Sequence, residues 1–223
     1  MTVTIEKIHG TGNPTHAIIW LHGLGATADD FVPVIPYLEL AKSPTIRFVF
    51  PQAPDRPITI NGGHVMPGWY DIKGSDISDK EDLPGITESQ KTLEALIDEQ
   101  VAKGISSENI IIAGFSQGGA VAYYTGIRLK QKVAGILALS TYLPFAKNAE
   151  AEHSGANVKT PIMAMHGRAD GVVPFGMGKA SVDALVKIGY DITWQDYAME
   201  HSVIPEQLVD IGRWINGVYV KAR

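Results

Sequence analysis

Gly114-Phe115-Ser116-Gln117-Gly118 sets a serine between glycines, directly after an apolar run and directly before a helical pattern. Asn109 to Ala113 reads as a short buried strand, and Gly118 to Leu129 as the helix that follows it. A serine at such a strand-to-helix turn is what a nucleophile elbow requires. The turn is sharp and strained, and small residues two positions either side let strand and helix pass closely. The hydroxyl is left exposed, and the next backbone N–H, that of Gln117, points where negative charge would develop on an attacked carbonyl. The chemistry that suits this arrangement is acyl transfer.

A serine hydroxyl is a poor nucleophile at neutral pH and needs a base. Imidazole is the usual one, and a strand-to-helix elbow expects the order serine, acid, histidine along the chain. That order leaves His153, His166 and His201. His201, in Ala198-Met199-Glu200-His201-Ser202, follows the last strand-like run and precedes the final helix, so its loop reaches the same sheet edge as the elbow. His166 ends a strand-like run and reads as a packed turn residue, while His153 lies in a polar loop with no framing signal. The acid must orient His201, and Asp170 lies just past a strand in Gly167-Arg168-Ala169-Asp170-Gly171. Its plainer reading is a turn aspartate before glycine. Asp183 falls in a helical pattern, Asp196 falls within a strand, and Asp191 also competes. The expected set is therefore Ser116, Asp170 and His201, with Asp170 fixing the imidazole tautomer and stabilising the imidazolium.

A second oxyanion donor belongs on the loop after an early strand. Trp20-Leu21-His22-Gly23-Leu24-Gly25 supplies one, and the Leu24 N–H is the expected partner of the Gln117 N–H. His22 is expected to bond the loop rather than move protons. A phosphate cradle is the rival reading of this loop, but it lacks both the Lys-Ser/Thr ending of a P-loop and the full Gly-x-Gly-x-x-Gly spacing.

The elements that must position these residues alternate along the chain. Ala17–Leu21, Ile46–Phe50, Ile136–Leu139 and Ile162–Met165 are continuous apolar runs, and Ile192–Tyr197 adds a β-rich one. Such runs suit a parallel sheet covered on both faces. Helical stripes lie between them. Thr87-x-x-Gln90 looks like a capping box ahead of Leu93, Leu96, Ile97 and Val101, and Pro205 opens a last helix carrying Leu208, Ile211 and Ile215. Repeated β-then-α order gives a doubly wound α/β sheet with its site beyond the carboxyl ends of the strands. Pro51–Pro84 and Tyr142–Pro161 break the alternation, and long irregular stretches in a compact domain are often functional.

The 223 residues fit a single domain spanning 1–223, without repeats or a linker. A net charge of −5 with no basic block argues against nucleic acid as a partner. The absence of cysteine excludes disulfides, thiolate zinc sites and a cysteine nucleophile. No apolar run approaches the roughly 18 residues of a membrane span. The first nine residues alternate like a strand and lack a signal-peptide core, so a cytoplasmic protein is expected.

With these residues assembled, the chain resembles the carboxylesterase and acyl-protein thioesterase family of α/β-hydrolases along nearly its whole length. The landmarks are Leu21-His22-Gly23-Leu24-Gly25, Phe50-Pro51-Gln52-Ala53-Pro54, Gly68-Trp69-Tyr70-Asp71, the Ser116 elbow, the Asp170 loop and His201. The resemblance implies a lidless or nearly lidless esterase of acyl esters, with thioesters handled by some members, and the same triad. It implies no metal or organic cofactor, a small-molecule or lipid acyl ester or an acylated protein as substrate, and a homodimer as the assembly often met. Thioesterase members often carry a bulkier aromatic at the position of Tyr142. Trp69, Leu143, Val173 and Phe175 lie on loops after strands and are the candidate walls of an acyl pocket, each with a plain core-packing alternative. Acyl-protein thioesterase, lysophospholipase and peptidase are the neighbouring enzyme readings. A dienelactone-type hydrolase would need a cysteine at the elbow. A non-catalytic α/β-hydrolase-fold receptor for small molecules is the reading from another class, and the presence of all three triad residue types argues against it.

Overall fold

The computed structural model describes residues 3–74 and 80–221, so the start of the first expected strand and part of the Pro51–Pro84 stretch lie outside the described residues. Nine strands are present among the described residues: β1 (Thr4–His9), β2 (His16–Leu21), β3 (Ile46–Pro51), β4 (Asp55–Ile58), β5 (His64–Pro67), β6 (Ile110–Phe115), β7 (Gly135–Leu139), β8 (Ile162–Gly167) and β9 (Ile192–Tyr197). The helices are α1 (Leu83–Ala102), α2 (Gln117–Arg128), α3 (Ala149–Glu152), α4 (Phe175–Lys187) and α5 (Pro205–Lys221), with a 3-10 helix at Val32–Leu38. Seven strands form one sheet in the order β1-β3-β2-β6-β7-β8-β9. Every pairing in it is parallel except β1 with β3.

Alternation inside the continuous apolar runs explains how one strand serves two cores. In β2, Ala17, Ile19 and Leu21 face a layer containing Ile86, Leu93 and Ile97 of α1, Val121 of α2 and Leu185 of α4. Ile18 and Trp20 face the opposite layer, with Leu38 and with Leu208, Ile211 and Ile215 of α5. A strand buried on both faces needs no polar period, and β2 has none. Each fully buried aliphatic side chain contributes about 1.5–3 kcal/mol, so the helices are held to the sheet by many such contacts.

Two expectations are corrected. Helix α1 starts at Leu83, so Thr87-x-x-Gln90 lies within the helix and caps nothing. Pro84 sits in its first turn, where a fixed φ and a missing N–H are tolerated. The Pro51–Pro84 stretch also contains the hairpin β4–β5, paired from Asp55↔Pro67 to Ile58↔His64. This hairpin docks on the loop after β2, since Gly25 N–H donates to Pro67 O at 2.8 Å.

Candidate active site

Ser116 stands between the end of β6 and the start of α2 with φ 53° and ψ −120°. A non-glycine residue there costs about 1–3 kcal/mol, so its surroundings must impose the conformation. Ser116 N–H donates to Leu139 O at 2.9 Å, and Ser116 O accepts from Ala120 N–H at 3.0 Å and from Thr141 Oγ1 at 2.6 Å. The glycines on either side are sterically required. A Cβ on Gly114 would run into the backbone of Gly118, and one on Gly118 would lie 2.6 Å from His22 O and closer still to Leu21 O. Strand, helix and the loop after β2 thus meet at one crowded point around the serine.

The two other expected residues converge on it. His201 Nδ1 lies 2.8 Å from Asp170 Oδ2, and His201 Nε2 lies 2.9 Å from Ser116 Oγ. A carboxylate accepts, so Nδ1 carries the proton and, in the neutral ring, Nε2 accepts from the serine hydroxyl. The Asp170 loop follows β8 and the His201 loop follows β9, and neighbouring strands bring them together. Arg168 N–H donates to Tyr197 O at 2.9 Å, and Ala169 N–H donates to Met199 O at 3.1 Å. Gly167 permits that approach, because a side chain there would strike the Met199 and Glu200 carbonyls. Asp170 Oδ1 accepts from Val172 N–H at 2.9 Å and Val173 N–H at 2.8 Å, so the aspartate makes its own turn as well as facing the histidine. Asp183 lies in α4 and Asp196 in β9.

The Leu24 loop reaches the serine from the other side. A Cβ on Gly23 would sit 3.5 Å from the Ser116 Cβ and 3.3 Å from the Phe115 ring. Gly25 and Ala26 N–H groups are engaged by Pro67 O and Gly23 O, whereas the Leu24 and Gln117 N–H groups have no acceptor among the described residues. Both groups stand one residue from this crowded point, Gln117 after Ser116 at the start of α2 and Leu24 after Gly23.

Several supporting residues escape the sequence reading. The Gln117 side chain is buried: its Oε1 accepts from Trp69 N–H at 2.7 Å and its Nε2 donates to Tyr70 O at 2.6 Å. It straps the 69–70 loop to the elbow, a role visible in sequence merely as a long polar residue at the mouth of an apolar helix. The Phe115 ring packs against the His201 ring, with centroids 4.8 Å apart. Of the four expected pocket walls, Trp69, Leu143 and Val173 are buried in the core layer. Trp69 Nε1 donates to His22 O at 2.9 Å, and Leu143 N–H donates to Ser181 Oγ at 2.8 Å. Phe175 begins α4 and packs edge-on against His166 and Trp194.

His22 bonds the loop, as expected. Its Nδ1–H donates to Gly23 O at 2.7 Å, and its Nε2 accepts from Ala53 N–H at 3.1 Å. Protonation would destroy that second bond. Burial is the main cause that pushes both His22 and His166 below the ordinary histidine value. An unfolded chain titrates near 6.5, so below that pH it takes up protons that the folded state refuses. The two histidines therefore contribute stability above the unfolded value and lose it as pH falls. The urea midpoint should drop between about pH 7.5 and about pH 5.5, and His22→Gln should flatten the drop. An unchanged slope in that variant would remove His22 from the account.

Among the described residues no group of three or more His, Asp or Glu is placed to hold a metal, and no helix is long and apolar enough to cross a membrane. Residues 4–219 match the phospholipase/carboxylesterase family. Acyl-protein thioesterase 1 of Gibberella zeae is 38% identical over 206 residues, covering 88% of each chain. The crystal structure of Arabidopsis thaliana SOBER1 superposes with a TM-score of 0.86 at 30% identity, over 92% of this chain and 99% of that one. That of Zea mays acyl-protein thioesterase 2 gives 0.85 at 25% identity, over 98% and 99%. The sheet order and these superpositions make the fold that of an α/β-hydrolase. The chain belongs to the phospholipase/carboxylesterase family and is a serine hydrolase acting on ester or thioester bonds.

Proposed function

We propose that this chain is a carboxylesterase that works through Ser116, His201 and Asp170 with an acyl-enzyme intermediate. The observation that carries the proposal is the relay of 2.9 and 2.8 Å from Ser116 Oγ through the imidazole to Asp170 Oδ2. As Ser116 Oγ attacks the acyl carbonyl, its proton passes to His201 Nε2. The carbonyl oxygen becomes an oxyanion, held by the Leu24 and Gln117 N–H groups. Asp170 stabilises the resulting imidazolium without taking the proton. The carbon–oxygen or carbon–sulfur bond breaks, His201 protonates the departing alcohol or thiol, and the acyl group stays on Ser116. Water then enters, gives its proton to His201 and attacks the acyl-serine, and the acid leaves as Ser116 recovers its proton. Trp69, Leu143 and Val173 are buried in the core layer and Phe175 packs on His166 and Trp194, so in this reading they back the site rather than line it.

A second reading, acyl-protein thioesterase, is favoured by the names of the curated relatives. Hydrolysis of a p-nitrophenyl ester series from short to long acyl chains, run beside matched acyl thioesters, separates the two. Faster turnover of oxygen esters with a short-chain optimum supports the esterase. A thioester preference with a long-chain optimum transfers the assignment to the second reading, and binding without turnover of either class defeats both.

A further inference from the structure

His166 is a buried histidine that the acyl-transfer scheme leaves without a task. It closes β8 and is 1% exposed. A carbonyl can only accept, so His166 Nε2 carries a proton and donates it to Val173 O at 2.9 Å. The same Nε2 stands 3.4 Å from Asp170 Oδ2, long for a hydrogen bond but within reach of the N–H dipole. The ring cannot easily turn away. It stacks on Trp194 with centroids 5.8 Å apart, meets Phe175 edge-on, and fills the space that Gly178 leaves open, where a Cβ would lie 2.7 Å from its Cε1.

Asp170 has no solvent to help it, since its side chain is wholly enclosed. A buried carboxylate depends on the donors around it. Oδ1 has the Val172 and Val173 N–H groups, and Oδ2 has His201 Nδ1–H. Val173 is thus a pivot. It donates to Asp170 through its N–H and accepts from His166 through its carbonyl.

We propose that His166 is a positioning residue for acyl transfer, clamping the 170–173 turn at Val173 and turning its N–H dipole on Asp170 Oδ2 so that the carboxylate meets His201 at the working angle. The inference rests on the Ser116–His201–Asp170 reading. Burial keeps the ring neutral, so it sets no second cation beside the imidazolium formed during turnover.

The test uses two isosteres. Glutamine carries its amide N–H out to the reach of Nε2, whereas asparagine stops at the reach of Nδ1. His166→Asn should lower kcat roughly tenfold to a hundredfold, because small misplacements of a reacting group are costly. KM should stay within about twofold, since substrate binding is not touched. The low-field proton resonance of His201 Nδ1–H should move upfield or disappear. His166→Gln should recover most of the rate and the resonance. An Asn variant with wild-type kcat and resonance overturns the proposal, and so do equal losses in both variants. Should the Asn variant fail to fold, a folded Gln variant decides: recovered kcat supports the clamp, lost kcat overturns it. Ser116→Ala run alongside keeps the two claims apart. Undiminished hydrolysis in that variant defeats the nucleophile assignment, while the resonance reads the clamp without turnover.

Discussion

Alanine at position 116 should leave ester hydrolysis roughly 10⁶-fold below wild type in kcat, the size of loss seen when a triad serine is removed. What remains would come from the Leu24 and Gln117 amides and from substrate binding, which do not depend on the hydroxyl. The companion substitution is Ser116→Gly. Alanine keeps a Cβ at φ 53°, so it keeps the strain, whereas glycine adopts that conformation freely. Releasing about 1–3 kcal/mol of strain is partly offset by the extra freedom glycine gives the unfolded chain. A net gain of about 1 kcal/mol would raise the thermal midpoint by about 2–4 °C in a chain of this size. The pair therefore separates reactivity from stability: both variants are inactive, and the glycine form melts higher. Appreciable activity in the alanine variant would put the nucleophile elsewhere, and a glycine variant that melts lower would contradict the strain.

The second large effect falls on Gly118. A methyl group there meets two backbone carbonyls, of Leu21 and His22, neither of which can swing aside as a side chain could. Relief requires the start of α2 to move away from the end of β2 and the loop that follows it. We expect Gly118→Ala to cost about 3 kcal/mol or more, a large share of a total that is commonly about 5–15 kcal/mol. Because the Leu24 loop moves with His22, kcat should fall as well, by about a hundredfold for a displacement near 1 Å. Gly217→Ala is the control. That position is exposed on α5 with nothing near its missing side chain, so alanine should stabilise by up to about 1 kcal/mol. Urea midpoints and kcat for both variants check this, and a Gly118→Ala protein as stable as wild type would contradict the crowding at the elbow.

Much of the architecture was legible because burial on both faces leaves a blunt mark. Ile18, Ile19, Ile110, Ile111 and Ile112 announce strands without needing a period, and the helices between them follow from their stripes. The hairpin β4–β5 left no such mark. Its strands are four residues long, partly exposed and interrupted by Pro57 and Pro67, so neither alternation nor an apolar run survives. The start of α1 was misplaced because a capping box is a local pattern, and Thr87 fits it equally well from inside the helix. At the site, Ser116, Asp170 and His201 could be chosen from chain order and loop position alone. The Gln117 N–H was legible there too, but the strap made by the Gln117 side chain and the contact of His166 with the Asp170 turn were not. The partners of Gln117 lie 48 and 47 residues away, and the contact of His166 with Val173 depends on how the 170–173 turn folds back. The expected pocket walls proved mostly buried because a loop position after a strand says where the backbone goes and not how deep the side chain sits.

The placement of the three residues on the sheet also bears on how the protein comes into being. Ser116 hangs from β6 at the centre, while Asp170 and His201 hang from β8 and β9 at one margin, so the closing contact spans 85 residues. Contacts of that separation form late, after the loop-closure entropy between them has been overcome. A growing chain can have its elbow built and its central strands paired while still lacking any means to activate the hydroxyl. On the proposed triad, regained turnover after denaturation should therefore lag the return of core structure, because it requires β9 to dock beside β8 and bring His201 to Ser116.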